Sequence, residues 1–178
     1  MTCPLVLAVL LVALASPARG ASVFTTRPDD PGAVHVTAPE FGVRGDGTSD
    51  DSGAIQAALD KAAATTSGNG GLVFVPSGRY RLTRTLYVWR GVRVIGCGAT
   101  RPVFVLADNT PGYQKGIGLM VMFTHAARPG APPTAGSSRV PFPPPGTVPP
   151  NPDIPDAGPA TFYPAMSNVD FEIGAGNP

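Results

Sequence analysis

The chain has 178 residues, a formal net charge of +1 and only 14% charged residues. This balance lacks both the basic footprint of a nucleic-acid-binding protein and an acidic tail, so we expect no nucleic-acid partner. Glycine and proline, at 22 residues each, make up about a quarter of the chain and are unevenly spread, which predicts an ordered part and a disordered part.

An apolar run at the amino terminus, from Pro4 to Ala15, is typical of a secretory signal. A bilayer-spanning helix needs about 20 apolar residues, and this run is shorter. Residues 1–20 are therefore predicted to be a signal peptide, cleaved after Ala13-Leu14-Ala15 or after Ala18-Arg19-Gly20. The mature protein is expected to be secreted or periplasmic and free of the membrane; an uncleaved anchor is the alternative.

Cysteine usage excludes an intrachain disulfide in the mature protein. Cys3 would leave with the signal, and Cys97 would then stand alone. Cys97 lies between two glycines after an apolar strand, which favours a small buried residue over a reactive thiol.

The next stretch predicts a short strand and then a helix. Val34 and Val36 alternate as in a strand, within a turn-rich segment. Thr48, Ser49 and Asp50 are candidate N-cap residues for a helix over Asp51–Ala63, and the acids favour its positive end. One face of this helix is a narrow apolar stripe that should lie flat on another apolar surface. Its members are Ile55, Ala58, Leu59 and Ala62.

From Leu72 the hydrophobic period changes to that of strands. The predicted strands are short, rich in β-branched and aromatic residues, and bounded by Gly, Pro or Asn. They cover residues 72–75, 80–82, 86–88, 92–95 and 103–106. No Asn-Gly or Asp-Gly hairpin turn joins them, which favours a β-solenoid over a sandwich or barrel. Leu72 and Val94 lie one plausible coil apart.

A further strand-like block covers residues 116–124, after which the composition changes. Twelve of the 22 prolines lie between Pro129 and Pro159, and proline cannot donate to a sheet ladder. We interpret residues 129–160 as a proline-rich insertion, because Val169–Ile173 then resumes a strand pattern. The predicted organisation is a signal at 1–20, a capping segment and first coils at 21–128, the insertion, and the start of a truncated further coil at 161–178.

The segment from Phe41 to Asp60 resembles the opening of the pectate-lyase-like superfamily. That group includes exo-β-1,3-glucanases, polygalacturonase and rhamnogalacturonase relatives, and phage tailspike-type proteins. Residues 70–80 and 91–96 are similar to its first and second coils, and residues 168–178 to a later one. The resemblance covers Phe41–Leu106 well and Phe162–Pro178 loosely.

This resemblance implies an all-β fold, an incomplete right-handed parallel β-helix with an amino-terminal capping α-helix. Gly45 and Gly47 would permit the tight turn into the cap. The family's acidic catalytic residues generally lie in later coils, so the resemblance leaves the catalytic and substrate-binding residues of this chain unknown.

Three acids before the helix, Asp46, Asp50 and Asp51, could be mistaken for a calcium loop. They lack the alternating spacing and terminal Glu of a helix–loop–helix site, so we attribute them to helix capping. Asp170 and Glu172 share a strand face, and glycosidic cleavage needs paired carboxylates. Asn168 and Asp170 also match the Asn-x-Asp form of polygalacturonases, but an ordinary solvent-facing strand explains these acids better.

The aromatic residues Tyr87 and Trp89, with Arg90, are the best candidates for sugar binding, although Trp89 is the kind of residue that usually packs in a core. His35 and His125 have no partner at ligand spacing, so we predict no metal site and no cofactor.

Two functions remain open at this point. The first is a secreted glycoside hydrolase or polysaccharide lyase acting on β-glucan or a pectin-like polysaccharide, of which this chain is the amino-terminal fragment and is inactive alone. The second is a non-catalytic β-helix used for adhesion or as a tailspike-like structural protein.

Overall fold

The computed structural model describes residues 20–65, 70–114, 118–127 and 161–177. Nearly all of the predicted signal and all of the predicted insertion lie outside these residues. In chain order, the elements are β1 (Val34–His35), α1 (Ala38–Phe41), β2 (Asp46–Asp50), α2 (Ser52–Thr65), β3 (Leu72–Pro76), β4 (Arg79–Leu82), β5 (Leu86–Val88), β6 (Arg93–Cys97), β7 (Val103–Leu106), β8 (Val121–Phe123), β9 (Ala165–Ser167) and β10 (Asp170–Ile173).

The strands form three sheets, and every pairing between these named strands is parallel. The strand orders are β1-β3-β6-β9, β2-β4-β7-β10 and β5-β8. The chain visits the three sheets in turn, so β3, β4 and β5 make one circuit and β6, β7 and β8 make the next. Each strand pairs with its counterpart in the neighbouring circuit, which is consistent with a parallel β-helix.

The five strands predicted between residues 72 and 106 all form, with small differences in their ends. The predicted strand at 92–95 is observed as Arg93–Cys97. Val94 pairs with Val73, while Leu72 pairs with Arg93. The expected match between Leu72 and Val94 is therefore wrong by one residue, because the coil is one residue shorter than the hydrophobic pattern suggested.

The core lies between the sheets and is built from columns of inward-facing side chains. Phe104 is fully buried and makes edge-to-face contacts with Tyr80 and Phe171, with both pairs of ring centroids 5.9 Å apart. Leu82 and Leu106 form a second column in register with Ile173. Burial of each such large side chain contributes about 1.5–3 kcal/mol to folding.

Helix α2 packs across strands of all three sheets. It contacts β1 and β3 of the first sheet, β4 of the second and β5 of the third. The predicted stripe is its buried face, which consists of Ser52, Ile55, Ala58, Leu59, Ala62 and Ala63. The prediction that this stripe packs on another apolar surface is therefore confirmed. The helix spans Ser52–Thr65 rather than Asp51–Ala63.

The start of α2 is capped by one of the three acids. The Asp50 carboxylate accepts the Ser52 backbone N–H at 3.0 Å and the Ser52 hydroxyl at 2.6 Å. Thr83 Oγ1 donates to the same carboxylate at 2.6 Å. The capping role predicted for Asp50 is therefore correct, and it also ties the helix to the chain after β4.

The capping roles predicted for Asp46 and Asp51 are wrong. Asp51 is buried and accepts the backbone N–H groups of Arg44 and Gly45 at 2.7 and 2.9 Å. Asp46 accepts the N–H groups of Thr48 and Ser49 at 2.8 and 2.7 Å. Neither carboxylate accepts an N–H group of the helix, which begins only at Ser52. Both acids instead hold the backbone at and before β2.

Three elements, α1, β2 and β9, were not predicted from the sequence. The first had a readable signal, since Pro39 stands in its first turn and Gly42 ends it with φ of 72°. Gly45 and Gly47, which were predicted to permit a tight turn before the helix, have φ of 62° and 79°, in the left-handed region that suits glycine. Within the described residues, none of the helices has the length and apolar character needed to cross a membrane.

Candidate functional site

The outer face of the β2-β4-β7-β10 sheet brings Asp170 and Glu172 together, as their two-residue spacing predicted. Both lie on β10 and alternate with Phe171 and Ile173, which continue the inward columns. The Glu172 carboxylate accepts two hydrogen bonds from the Arg79 guanidinium. Nη1 donates to Oε1 at 2.7 Å, and Nη2 donates to Oε2. The hydrogen bond from Arg79 to Glu172 raises the pKa of Arg79 above its usual value.

The second acid has its own cation. Arg101 Nη1 lies 3.3 Å from Asp170 Oδ1, and the two side chains are 34% and 28% exposed. Each carboxylate is therefore paired with a guanidinium. The two ion pairs form a charge-balanced polar face that can hydrogen-bond sugar hydroxyls.

Asn168, the first residue of the Asn-x-Asp pattern, has a structural role. Its backbone is left-handed, with φ of 57°. Its Nδ2 donates to the Gly96 carbonyl at 2.8 Å and to Ser22 Oγ at 2.9 Å, and its Oδ1 accepts the Val23 N–H at 3.0 Å. The amide therefore joins the turn before β10 to β6 and to the segment that follows the predicted cleavage site.

Trp89 is inside the molecule rather than on a sugar-binding surface. Its side chain is 3% exposed, and its Nε1 donates to Asp60 Oδ1 on α2 at 2.7 Å. Tyr87 stacks on Trp89 with ring centroids 6.2 Å apart, and burial raises the pKa of Tyr87. Gln56 of α2 accepts the Tyr87 N–H at 2.9 Å. These contacts hold α2 against β5. The third candidate, Arg90, donates its backbone N–H to the Ala126 carbonyl at 2.9 Å.

The remaining candidate residues also serve the fold. The His35 ring stacks on Phe74 at 5.3 Å, and burial lowers its pKa. His125 is buried. Cys97 is a buried free thiol whose pKa is raised by burial, which disfavours the reactive thiolate. Among the described residues, no group of three or more His, Cys, Asp and Glu side chains is placed to hold a metal ion.

One exposed cluster was missed by the sequence analysis. Phe162 and Tyr163 are 55% and 73% exposed and precede β9. The Arg93 guanidinium carbon lies 5.9 Å from the centre of the Tyr163 ring. The adjacent aromatics at 162–163 were a readable signal, but their approach to Arg93 depends on the pairing of β9 with β6.

The comparisons with known proteins extend over the region that contains β1 to β8. A sequence model of the family "rhamnogalacturonase A/epimerase, pectate lyase-like" matches residues 35–129. The chain belongs to this family. The resemblance seen in the sequence is thereby confirmed, and the parallel sheets agree with it.

Similar proteins include several enzymes with larger chains than this one. A mannuronan C5-epimerase of Azotobacter vinelandii is 41% identical over 80 residues, which are 41% of this pectate lyase-like chain and 4% of the epimerase. An alginate lyase of the same organism is 38% identical over 85 residues, or 44% of this chain and 10% of the lyase. A glucan 1,3-beta-glucosidase of Cochliobolus carbonum is 32% identical over 111 residues, or 54% of this chain and 14% of the glucosidase. The chain thus spans a small part of each relative, and no solved structure gives a significant match.

Proposed function

We propose that this pectate lyase-like chain is the amino-terminal part of a longer, exported protein that acts on a polysaccharide. The observation that carries the proposal is the overlap between the family match, residues 35–129, and the strands β1 to β8. The named activities of the relatives, which are epimerase, lyase and glucosidase, all concern polysaccharides or glucans. The expected activity is that of a glycoside hydrolase or polysaccharide lyase on β-glucan or a pectin-like polymer.

The fold of the whole protein is proposed to be a right-handed parallel β-helix closed at its amino-terminal end by α2. About 98% of crossover connections between parallel strands of one sheet are right-handed, which supports the handedness. The contacts of α2 with strands of all three sheets support the capping role. Further coils are proposed to follow β10, since Phe171 and Ile173 continue the core columns while remaining 49% and 62% exposed.

The catalytic groups of the complete protein are proposed to lie in those further coils. Asp170 and Glu172 are each paired with an arginine, which supports a structural role for them. We therefore expect no appreciable turnover by the 178-residue chain. The test compares this chain with the protein isolated from its source, measuring reducing ends released from laminarin and polygalacturonate. Cleavage by the source protein alone supports the proposal, while cleavage by the 178-residue chain contradicts the assignment of catalysis to later coils.

A non-catalytic role in adhesion or as a structural spike is the second candidate. The same ion pairs favour it, because charge-balanced carboxylates can bind glycan hydroxyls without cleaving the polymer. Absence of turnover by the source protein on laminarin, polygalacturonate and alginate, together with retained binding to one of them, would favour this role.

Export is proposed from the apolar run Pro4–Ala15 and the small residues that follow it. Amino-terminal sequencing of the protein from the culture medium or periplasm tests this point. A new terminus after Ala15 or Gly20 is expected, and an intact Met1 in the membrane fraction would contradict export.

A further inference from the structure

Two neighbouring aromatic side chains stand exposed where the chain enters β9. Phe162 is 55% exposed and Tyr163 is 73% exposed, and their ring centroids are 6.3 Å apart with planes tilted by 39°. Single exposed apolar side chains are ordinary, whereas contiguous exposed apolar groups mark surfaces that meet a ligand or partner. Sugar rings present apolar C–H faces that stack on such aromatic rings, so the pair has the composition of a glycan-binding surface.

The backbone at Tyr163 is held in a conformation that does not suit its side chain. Its φ is 60°, in the left-handed region that a bulky aromatic residue adopts only at a free-energy cost. Hydrogen bonds on both sides fix this turn: the Gly91 N–H donates to the Phe162 carbonyl at 2.8 Å, and the Ala165 N–H donates to the Val92 carbonyl at 3.1 Å. Glycine or asparagine would fit this position with less strain, so the presence of tyrosine calls for a role beyond folding.

Arg93 completes the cluster from β6. Its guanidinium carbon lies 5.9 Å from the centre of the Tyr163 ring, and its side chain is exposed. Among the described residues no carboxylate forms an ion pair with Arg93, whereas Arg79 and Arg101 are paired with Glu172 and Asp170. A guanidinium near an aromatic ring keeps its N–H edges available for a carboxylate.

We propose that Phe162, Tyr163 and Arg93 form a binding subsite for a uronic acid residue of an acidic polysaccharide. The sugar face stacks on the aromatic pair, and the uronate carboxylate accepts hydrogen bonds from Arg93. The unpaired cation selects an acidic sugar over a neutral one. This inference rests on the proposed function, because it assumes a polysaccharide ligand, and it places the subsite on a different sheet from Asp170 and Glu172.

The test measures binding of a galacturonate oligosaccharide to the full chain by calorimetry, with a neutral laminari-oligosaccharide for comparison. We expect Arg93→Gln to weaken galacturonate binding by about tenfold while leaving the weak neutral binding unchanged. Arg44→Gln is the matched control, since it removes an equally exposed arginine away from the cluster. Added salt should weaken galacturonate binding more for the wild type than for Arg93→Gln.

Tyr163→Asn separates a binding role from a structural one. Asparagine tolerates the left-handed backbone, so the variant should unfold at the same temperature as the wild type or higher, while binding both oligosaccharides about tenfold more weakly. A lower unfolding temperature with unchanged binding would overturn the proposal. Equal binding of the two oligosaccharides, no effect of Arg93→Gln, or no binding at millimolar ligand would also overturn it.

The binding test of this subsite and the turnover test of the proposed function can succeed or fail independently. Binding that depends on Arg93 and Tyr163 supports the subsite even if the source protein cleaves no polymer. Turnover on laminarin, with no galacturonate binding at the cluster, supports the proposed function and rejects the subsite.

Discussion

At the scale of single residues, the acids before α2 illustrate how strongly this fold depends on backbone N–H donors. Asp46, Asp50 and Asp51 lie within six positions, yet each accepts hydrogen bonds from a different turn. The pKa of Asp46 is lowered well below its usual range by the N–H groups of Ser49 and Thr48. The acids therefore shape the path of the chain between α1 and α2.

Asp50 yields a prediction with a defined pH dependence. Burial alone raises the pKa of Asp50, but the hydrogen bonds from Ser52 and Thr83 lower it overall. The folded-state pKa is thus below the ordinary 3.8, so the stabilising contribution is fully present above 3.8 and is lost as the pH falls through the folded value. Asp50→Ala should lower the free energy of unfolding by about 1 kcal/mol at pH 7. Urea titrations at pH 7 and pH 3 should show the difference between variant and wild type shrinking at the lower pH; a larger difference at pH 3 would contradict this role.

In this segment, the local backbone roles of residues could be predicted from the sequence more readily than their hydrogen-bond partners. The glycines at 45 and 47 indicated turns, and Asp50 indicated a cap, because these are local backbone properties. The donors to Asp51 depend on how the chain folds back before β2, which no local pattern specifies. Likewise, the amides of Val23 and Asn168 meet although 145 residues separate them.

At the scale of elements, α2 is held by both apolar packing and a buried polar contact. Asp60 accepts the Trp89 indole N–H at 2.7 Å and the Gln56 amide at 2.9 Å. The helix stripe could be predicted from its period, but this contact could not, because Trp89 reaches α2 only after the chain has turned through β3 and β4.

Removal of Asp60 tests the attachment of the helix. Asp60→Ala should lower the free energy of unfolding by about 1–3 kcal/mol, because the buried indole N–H loses its acceptor. Lys61→Ala is the control: its ion pair with Glu40 joins side chains that are 55% and 39% exposed, so the expected change is about 0–1 kcal/mol. Equal losses in the two variants, measured by tryptophan fluorescence in urea, would contradict the importance of the Asp60–Trp89 contact.

Glycine positions test the contact between successive coils. A Cβ atom at Gly96 on β6 would overlap the Asn168 carbonyl oxygen and approach the Pro102 ring at 2.6 Å. Gly96→Ala should therefore destabilise the chain by about 1–3 kcal/mol. Gly53→Ala, at the exposed start of α2, meets only the Arg84 guanidinium at 3.2 Å and should stabilise by about 0.5–1 kcal/mol. Thermal unfolding that shifts in the same direction for both variants would contradict this packing.

At the scale of the whole molecule, the strands differ in what covers them. Strands β1, β3, β4 and β5 contact α2, whereas β10 presents Phe171 and Ile173, which are 49% and 62% exposed. The backbone of β10 forms the edge of its sheet. Exposed apolar edge strands pair readily with other chains, so the 178-residue chain should self-associate at micromolar concentration.

The double substitution Phe171→Ser with Ile173→Ser should reduce this association, as measured by sedimentation velocity. Phe24→Ser is the control, since Phe24 is 39% exposed but is not part of the sheet edge. A wild-type monomer at all concentrations, with protected amides near Ile173, would contradict the exposed edge.

The positions of most strands along the chain could be predicted from the sequence. For their arrangement, the sequence favoured a β-solenoid over a sandwich or barrel without specifying which strands pair. Short β-branched runs at 72–106 indicated strands, and missing hairpin turns favoured parallel stacking. Strand β9 could not be recognised, because the three residues Ala165–Ser167 are too few to show a period, and its pairing with β6 depends on the fold.

Parallel stacking of the strands in register is tested most directly by disulfide trapping between β4 and β7. Arg79 pairs with Val103 and Arg81 with Val105, so the corresponding Cys pairs have Cα atoms about 4.8 Å apart, within disulfide reach. The exchanged pairs, 79 with 105 and 81 with 103, use the same four positions but lie roughly 8 Å apart, beyond that reach. We predict that the 79–103 and 81–105 double-cysteine variants cross-link under mild oxidation, as mapped by peptide mass spectrometry. Cross-linking of the exchanged pairs instead would indicate antiparallel strands and contradict the stacked fold.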